Sequence, residues 1–436
     1  NLKNDGYFGV IVSNKWSKST YGKNIRTVLK NYKILEFIDF GDLPIFSDAT
    51  TYPCILLIKK SSPTNNLIFV SKPETLEEDD FNKMIQQKRY HIPQSSLTSE
   101  AWAFQNTNYK KINDKIKQSG IPLENYCKEK INRGLLTGLD NVFVINGEKK
   151  FELEKESTSS TKLIKPYLIG KQIKRYFYDW DDTNILLIKK GEKIERFPAI
   201  HNYLKKFKKE LEARWDKGDW FSLRTCAFYD DFSKPKIIFS HFAKRPQFTY
   251  DDKNYYINAK GYILPSNDKY LLGILNSSVI SFFARSICPF VRGEYYEFNK
   301  QFVNQFPIPQ TSKENKSKII HIVEKILEKN EQKLSKDKAV QNVICADFSI
   351  KQIPSKLKNL DNLTPVDFLK VIKKLSKPVT TDKKLEKLVL YFSDYQSEIS
   401  NIKNEILELD SELDEIIFSI FNLSVNEITT ILKELS

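Results

Sequence analysis

The chain has 436 residues, and its 69 lysines and arginines exceed its 55 acidic residues, which gives a formal net charge of +14. Its 40% hydrophobic and 13% aromatic content is more than a generally disordered chain carries, so we expect two to four folded domains of roughly 100 to 200 residues each. The longest apolar runs fall far short of the roughly 18 residues that a membrane-spanning helix needs, and we therefore expect no membrane segment.

The first sixty residues alternate strand and helix signals. The predicted elements are a fully buried strand at Tyr7 to Ser13, a helix at Tyr21 to Tyr32 with Ile25, Val28 and Leu29 on one face, and strands at Ile34 to Phe40 and Thr51 to Lys59. This order is typical of the closing edge of an α/β sheet. Sixty residues cannot cover both faces of such a sheet, so we expect the missing strands upstream or in another chain.

The next 250 residues fall into two segments of different texture. Residues 61–120 begin polar and carry the acidic run Glu77 to Asp80, which predicts an insertion or linker. Residues 121–310 contain short aromatic-rich runs between turn residues, which predicts a mixed, mostly β domain. The predicted elements are strands at Asn141 to Ile145, Asn184 to Ile188, Lys236 to Ser240, Tyr255 to Ile257 and Gly261 to Leu264, a helical stretch at Asn202 to Arg214, and one buried helix at Tyr270 to Ala284.

Residues 311–436 follow Pro307 and Pro309 and are helical in pattern. From Leu385 to Ile420, apolar residues recur at steps of four and three, which indicates a heptad seam over about five heptads. Such a seam needs a partner helix. Ser317 to Leu334 is the predicted antiparallel partner within the chain, and a homodimeric coiled coil is the alternative.

The surplus positive charge is concentrated in the middle of the chain. Basic and acidic residues number 9 and 5 in residues 1–60, 40 and 30 in residues 61–310, and 20 and 20 in residues 311–436. A basic domain fits a polyanion, because neutralised phosphates release counterions. The alternative is an ordinary lysine-rich soluble surface. Nine of the ten arginines lie between residues 61 and 310, which favours the polyanion.

The sequence lacks the familiar catalytic constellations. It contains no Gly-x-Gly-x-x-Gly, no Walker loop, no Gly-x-Ser-x-Gly and no His-Glu-x-x-His. Five scattered cysteines (Cys54, Cys127, Cys226, Cys288 and Cys345) and four histidines favour a reducing cytoplasm over a disulfide scaffold or a zinc site. The acid pairs Asp181-Asp182, Asp230-Asp231 and Asp251-Asp252 are interpreted as turn residues. We predict no self-contained active site, no metal and no bound cofactor in this chain.

Several ordered motifs resemble one family. The N-terminal motifs GYFGVIVSNKW (6–16), YGKNIR (21–26), DFG (39–41) and FSDATTYP (46–53) resemble the late part of the catalytic domain of γ-class DNA adenine-N6 methyltransferases, the kind fused in type IIG restriction-modification enzymes. The motifs RGLLTGLDNVFVIN (133–146), IKPYLIGKQIKRY (164–176), LRTCAFYD (223–230), KPKIIFS (234–240), LGILNS (272–277) and FPIP (306–309) resemble the TaqI-like C-terminal specificity domain. Residues 413–432 are also similar to the end of that family.

The resemblance implies a fold, a cofactor and a division of labour. The fold would combine a partial edge of a Rossmann-like methyltransferase sheet (1–60), a linker or insertion (61–120), a β-rich target recognition domain (121–310) and a long-helix, antiparallel coiled-coil segment (311–436). Family members hold S-adenosylmethionine on a glycine-containing loop and grip the flipped adenine with Asn-Pro-Pro-aromatic. This chain begins with Asn1, has a single methionine at Met84 and contains no Pro-Pro pair. We therefore expect a C-terminal fragment, inactive alone, whose parent binds S-adenosylmethionine.

The resemblance also implies individual site residues. Phe46 corresponds to the aromatic that packs against the flipped adenine; the alternative is a core side chain before a turn. In double-stranded DNA, arginines read base edges and lysines contact phosphates. The predicted DNA-binding residues are Arg133, Arg175, Arg224, Arg245 and Arg292, with Lys171, Lys174 and Lys244 as phosphate partners; for each, a surface salt bridge is the alternative. Gly134, Thr137 and Gly138 are predicted to shape a turn rather than to touch a base.

Two functions follow from these observations. The first is the DNA recognition half of a DNA adenine-N6 methyltransferase, completed by a missing N-terminal catalytic half. The second is a stand-alone specificity subunit that docks on separate methyltransferase or nuclease subunits. The partial α/β edge at residues 1–60 favours the first, because a recognition module does not need part of a catalytic sheet.

Overall fold

The computed structural model describes residues 2–435, apart from residues 42, 47–50, 74, 77–82, 84, 86–88, 100–101, 103, 105–106, 215–217, 292–294, 349, 351–352 and 376–381. Four buried clusters of apolar side chains organise these residues. The first lies in the N-terminal sheet, two lie in the middle of the chain, and the fourth lies between the C-terminal helices. One of the middle clusters also takes in the ends of the long helices.

The N-terminal sheet has five strands in the order β1-β3-β2-β4-β5. Its strands are β1 (Tyr7–Ser13), β2 (Lys33–Asp39), β3 (Pro53–Lys59), β4 (Leu67–Ser71) and β5 (Tyr90–Pro93), and helices α1 (Lys15–Lys18) and α2 (Lys23–Leu29) follow β1. Alternate residues Cys54, Leu56 and Ile58 of β3 are buried in one cluster with Trp16 and with Phe37 of β2, as the two-residue period of a strand requires. Strands β2 and β4 are parallel, and every other neighbouring pair is antiparallel.

Two predictions for this region are wrong. Strand β1 forms where predicted, but it lies at the edge of the sheet and is exposed rather than fully buried, with Tyr7 63% accessible to solvent. The segment predicted as an insertion or linker supplies β4 and β5, and its Trp102 and Phe104 pack in the core of the same sheet. The predicted helix also forms, over Lys23–Leu29, but Ile25 and Val28 are exposed while Arg26 is buried.

The middle of the chain consists of short sheets interleaved with helices. Strands β6 (Gly120–Pro122) and β18 (Pro307–Pro309) pair and bring its two ends together. The other strands are β7 (Asn132–Arg133), β8 (Val144–Ile145), β9 (Ile164–Leu168), β10 (Asn184–Leu186), β11 (Lys236–Ser240), β12 (Phe242–Ala243), β13 (Phe248–Asp251), β14 (Tyr256–Ile257), β15 (Gly261–Pro265), β16 (Phe290–Val291) and β17 (Tyr295–Glu297). The helices are α3 (Thr107–Gln118), α4 (Leu123–Tyr126), α5 (Asp140–Phe143), α6 (Gly147–Glu156), α7 (Pro198–Lys205), α8 (Lys208–Glu212), α9 (Lys269–Asn276), α10 (Ser278–Ile287) and α11 (Lys300–Val303).

The single buried helix predicted at Tyr270 to Ala284 is instead a pair, α9 and α10, bent by 62°. Ser277 ends the first helix and caps the second, where its hydroxyl accepts a hydrogen bond from the Ile280 amide. No single helix in the described part of the chain is long and apolar enough to cross a membrane; this bent pair passes that test only when its two helices are combined. The pair lies in the core of the middle domain, with Leu271 and Ile280 fully buried.

The C-terminal region is built from helices α12 (Lys313–Phe348), α13 (Pro365–Leu375), α14 (Asp382–Ile420) and α15 (Val425–Leu435). Helices α12 and α14 pack antiparallel. Lys329 pairs with Glu405 and Lys336 with Glu398, so the residue numbers increase along one helix while those of its partners decrease along the other. Six of the predicted heptad residues are buried: Leu388, Phe392, Tyr395, Ile399, Ile402 and Leu413. Phe392 stacks on Phe368 of α13, and Leu413 belongs to the buried cluster of the middle domain, so the heptad face of α14 meets more than one neighbour. The predicted pairing within the chain is confirmed for these two helices.

Candidate nucleic-acid interface

The turn at Asn258–Gly261, which we call the Lys260 turn, connects β14 to β15 in the basic middle domain. The Gly261 amide closes it by donating to the Asn258 carbonyl at 2.9 Å. Gly134 and Gly170 pack directly against its backbone: a Cβ at Gly134 would lie 2.0 Å from the Asn258 carbonyl oxygen, and one at Gly170 would lie 2.5 Å from the Lys260 carbonyl oxygen. Only glycine allows so close an approach at both places.

This packing brings two of the predicted DNA-binding residues to the same turn. Arg133 precedes Gly134, and its Nε donates to the Ala259 carbonyl at 2.7 Å. Lys171 follows Gly170, which contacts Lys260 itself. The side chains of Arg133, Lys171 and Lys260 are all exposed. The sequence therefore predicted two members of this cluster, and the fold adds Lys260 as the third.

The rim of the turn carries aromatic rings and one acid. The His241 amide donates to the Lys260 carbonyl at 2.9 Å, and the His241 ring lies 4.2 Å from that of Phe242 in a stacked arrangement. The Phe242 ring is 43% exposed. Glu297 lies 3.0 Å from His241 Nε2, so this carboxylate faces the imidazole. The rim thus offers one exposed aromatic ring next to the backbone of the turn.

Arg175 lies away from this turn, at the junction with α14. Its two terminal nitrogens each lie 2.5 Å from an oxygen of Asp410, and its Nε and Nη2 donate to the Asn276 carbonyl at 3.1 and 2.9 Å. Bidentate geometry of this kind is a strong arginine contact. Nearby, Asp414 accepts from the Ser278 amide and hydroxyl, and burial raises the pKa of the Asp414 carboxyl. The arrangement favours the salt-bridge alternative for Arg175, as a clasp between the middle domain and α14.

Arg245 and Lys174 border that junction. Arg245 is exposed, yet partial desolvation and the nearby Arg175 cation both lower the pKa of its guanidinium. Lys174 is half-buried, and its amide donates to the Phe177 carbonyl. The Arg245 charge therefore lies close to that of Arg175, while the contact of Lys174 is made by its backbone.

Arg224 is placed beside the loop that follows Arg133. Gly138 has a φ of +81°, and a Cβ there would lie 3.3 Å from Arg224 Nε and 3.0 Å from an Nη of Arg214. Arg214 donates to the carbonyls of Thr137, Trp220 and Ser222, which fixes the loop. The predicted turn forms at Thr137 and Gly138, where the Thr137 hydroxyl accepts from the Leu139 amide and Gly138 has a positive φ, whereas Gly134 pairs with Gly261 in extended backbone. Arg214 was missed as its anchor, because no local pattern marks an arginine whose partners are distant carbonyls.

The remaining predicted site residues have different outcomes. The Phe46 ring is 44% exposed, so the core alternative for it is wrong in this structure, while residues 47–50 of its motif lie outside the described residues. Lys244 is exposed on the segment after β12. Arg292 lies outside the described residues. The base-stacking role of Phe46 and the DNA contacts of all these residues stay predictions.

Three family descriptions match the chain. Residues 1–46 match the Eco57I restriction-modification methylase family, and residues 165–308 match the TaqI-like C-terminal specificity domain. Residues 312–417, which contain α12 and most of α14, match a domain of unknown function, DUF8810. The specificity-domain match includes Lys171, Lys260 and the whole Lys260 turn, while Arg133 precedes it.

Curated relatives are methyltransferases. Type II methyltransferase M.BanIII of Aneurinibacillus aneurinilyticus is 25% identical over 414 residues, which covers 81% of this chain and 69% of that protein. Type II methyltransferase M.BstVI of Geobacillus stearothermophilus is 22% identical, with 71% of this chain and 59% of that protein covered. The restriction enzyme and methyltransferase RM.Eco57I of Escherichia coli is 24% identical, with 73% and 36% covered. The chain thus spans between about a third and two thirds of these proteins.

The fold is also similar to a solved structure. The type IIL restriction-modification enzyme MmeI, solved in complex with DNA, superposes with a TM-score of 0.56 at 12% identity, covering 99% of this chain and 49% of that chain. At this identity the likeness concerns the fold alone. Together the matches confirm the predicted resemblance: the chain is similar to type II restriction-modification methyltransferases and carries a TaqI-like specificity domain.

Proposed function

We propose that this chain is the sequence-specific DNA recognition half of a DNA adenine-N6 methyltransferase from a type IIG restriction-modification system, acting in the cytoplasm. The observation that carries the proposal is the specificity-domain match at residues 165–308, in the segment that holds most of the surplus positive charge. Double-stranded DNA is the partner that this charge fits, because phosphate neutralisation supplies affinity while side chains in the groove supply sequence choice.

The catalytic part of the reaction is assigned to the parent protein. Residues 1–46 match a methylase family, and β1 presents exposed Tyr7, Phe8 and Ile11 at the edge of its sheet. We propose that further methyltransferase strands cover this edge in the parent, where the sheet would be Rossmann-like. The chain itself has no Gly-x-Gly-x-x-Gly and no Pro-Pro pair. The Asn-Pro-Pro-aromatic motif is therefore absent from it, and we assign S-adenosylmethionine and the transfer step to the parent.

The C-terminal helices serve the recognition domain as a support. We propose that α12 and α14 form an antiparallel coiled-coil spacer, held to the middle domain by the Arg175–Asp410 ion pair. The second candidate function, a stand-alone specificity subunit docking through these helices, is favoured by their length alone. The methylase match at residues 1–46 favours the first candidate.

Selection from a library of duplexes with a randomised centre tests the proposal. We expect the chain, immobilised and washed at moderate salt, to enrich one short sequence, because base-edge contacts discriminate by about 1–3 kcal/mol each. Sequencing of the retained duplexes is the readout. Retention of duplexes without any sequence preference would contradict a recognition function, and enrichment of single strands over duplexes would contradict the assigned partner.

A further inference from the structure

The Lys260 turn is held more firmly than a surface connection between two strands requires. Backbone amides of Gly134 and His241 donate to the carbonyls of Gly261 and Lys260, each at 2.9 Å. The Asn258 side chain accepts from the amides of Gly170 and Lys260 at 3.1 and 3.2 Å. Three separate segments of the chain therefore converge on one four-residue turn. A turn fixed from several sides loses little conformational entropy when it binds a ligand.

The three basic side chains at this turn have no acidic partner within the described part of the molecule. Neither Arg133, Lys171 nor Lys260 takes part in any ion pair among the residues that the structure describes. By contrast, basic residues on the helices, such as Lys329 and Lys336, are paired with acids. Glu297 faces the ring of His241, whose backbone amide holds the Lys260 carbonyl. Three like charges brought together at a fixed turn fit a polyanion.

Resting on the proposed function, we propose that the Lys260 turn is a DNA-contact element in which Arg133 reads a base edge while Lys171 and Lys260 hold phosphates. The assignment follows from what each side chain can do. The Arg133 Nε is anchored on the Ala259 carbonyl, which orients the guanidinium and leaves its two terminal nitrogens for a planar acceptor pair. A guanine edge presents such a pair in the major groove. Lysines are mobile point charges and suit phosphates.

Charge-removing variants of the intact 436-residue chain test this assignment. Duplex affinity is measured by fluorescence anisotropy at several salt concentrations for Lys171→Gln, Lys260→Gln and Arg133→Gln. The matched control is Lys358→Gln, because Lys358 is also exposed but lies in the C-terminal helical region. Each lysine variant should lower the slope of log affinity against log salt by about one, with the same loss on every sequence. The control should keep the slope of the unaltered chain.

Arg133→Gln should behave differently from the lysine variants. We expect it to reduce preference at one base pair of the enriched sequence by about tenfold, the effect of losing a bidentate base contact. Library selection with the variant locates that base pair. A thermal melt of each variant confirms folding, and Arg133→Lys, which keeps the charge but not the planar fork, should lose the preference while keeping the salt slope.

The outcomes separate this inference from the function on which it rests. If the unaltered chain binds duplexes with a steep salt slope but all three variants match Lys358→Gln, the Lys260 turn does not touch DNA and only this inference is overturned. If Arg133→Gln weakens all sequences equally, the base-reading role is wrong and the turn contacts phosphates alone. If the unaltered chain binds no duplex, the proposed function itself is overturned.

Discussion

Raising the salt concentration from 50 to 200 mM should weaken binding of this chain to duplex DNA at least about 40-fold. Three phosphate contacts, one each for the predicted Lys171, Lys174 and Lys244, give that factor at a slope of about −0.9 per neutralised phosphate. The expected loss rises to roughly 10³–10⁵ if six to ten phosphates are contacted. Most of the surplus charge lies in residues 61–310, so this domain should dominate the effect.

The salt titration needs a control for folding and a control for charge. The circular dichroism spectrum of the chain should stay constant over the same salt range. A constant spectrum shows that the loss of DNA affinity does not come from unfolding. Lys358→Gln removes one positive charge outside the middle domain and should leave the titration unchanged. Equal affinity of the unaltered chain at the two salt concentrations would contradict the claim that the positive charge of the middle domain binds DNA phosphates.

Replacing Lys236 by methionine should lower the free energy of unfolding by about 3–5 kcal/mol, the cost of leaving one partner of a buried ion pair uncompensated. Lys236 and Asp251 are both fully buried, with Nζ 2.5 Å from Oδ2. The Lys236 Nζ also donates to the Phe232 carbonyl at 2.7 Å, and Asp251 accepts from the Lys253 and Tyr255 amides. The pair fixes β11 against β13, in the sheet that also contains β15. Urea unfolding measures the loss.

Lys234→Met is the matched control for this prediction. Lys234 lies two residues earlier, and its pairing with Asp231 is at the surface, so the free energy of unfolding should stay nearly unchanged. Adding Asp251→Asn to Lys236→Met should recover part of the loss, because the uncompensated charge disappears. Equal stabilities for Lys236→Met and Lys234→Met would show that the buried pair does not stabilise the sheet.

The parts of the fold that the sequence predicted are those with a strong period or an uninterrupted apolar run. Lys236 to Ser240 forms a strand over the predicted residues, and the heptad spacing after Leu385 marks α14. Asp251 shows the limit of reasoning from neighbours. Its acidic pair with Asp252 suggested a turn, whereas the fold buries it against Lys236, fifteen residues earlier in the chain. A contact between two strands is not visible in the local pattern of either one.

The wrong predictions also concern features that the local sequence pattern does not determine. The run at Tyr270 to Ala284 is apolar on all sides, so its period could not reveal a break, although the Asn276-Ser277-Ser278 sequence is a capping signal. The strand Leu67–Ser71 was hidden by the polar composition around it. Strand β1 has residues suited to burial, but burial depends on what covers the strand.

Two of the three basic residues at the Lys260 turn could be predicted from the sequence, and the third could not. Arg133 and Lys171 stand beside glycines in motifs that could be recognised, and those glycines are what the turn packs against. Lys260 has no such signal, because a lysine in a turn is ordinary on a basic domain. Only the convergence of three chain segments brings it beside the other two cations.

The most direct test of DNA recognition compares two duplexes of equal length at about 150 mM salt: the sequence enriched by selection and a scrambled version with the same base composition. Anisotropy titration of the intact chain should show at least about tenfold tighter binding to the enriched duplex, the discrimination expected from one good bidentate base contact. Equal affinity for the two duplexes would mean that the middle domain binds DNA by charge alone, and would contradict its assignment as the part that chooses the site.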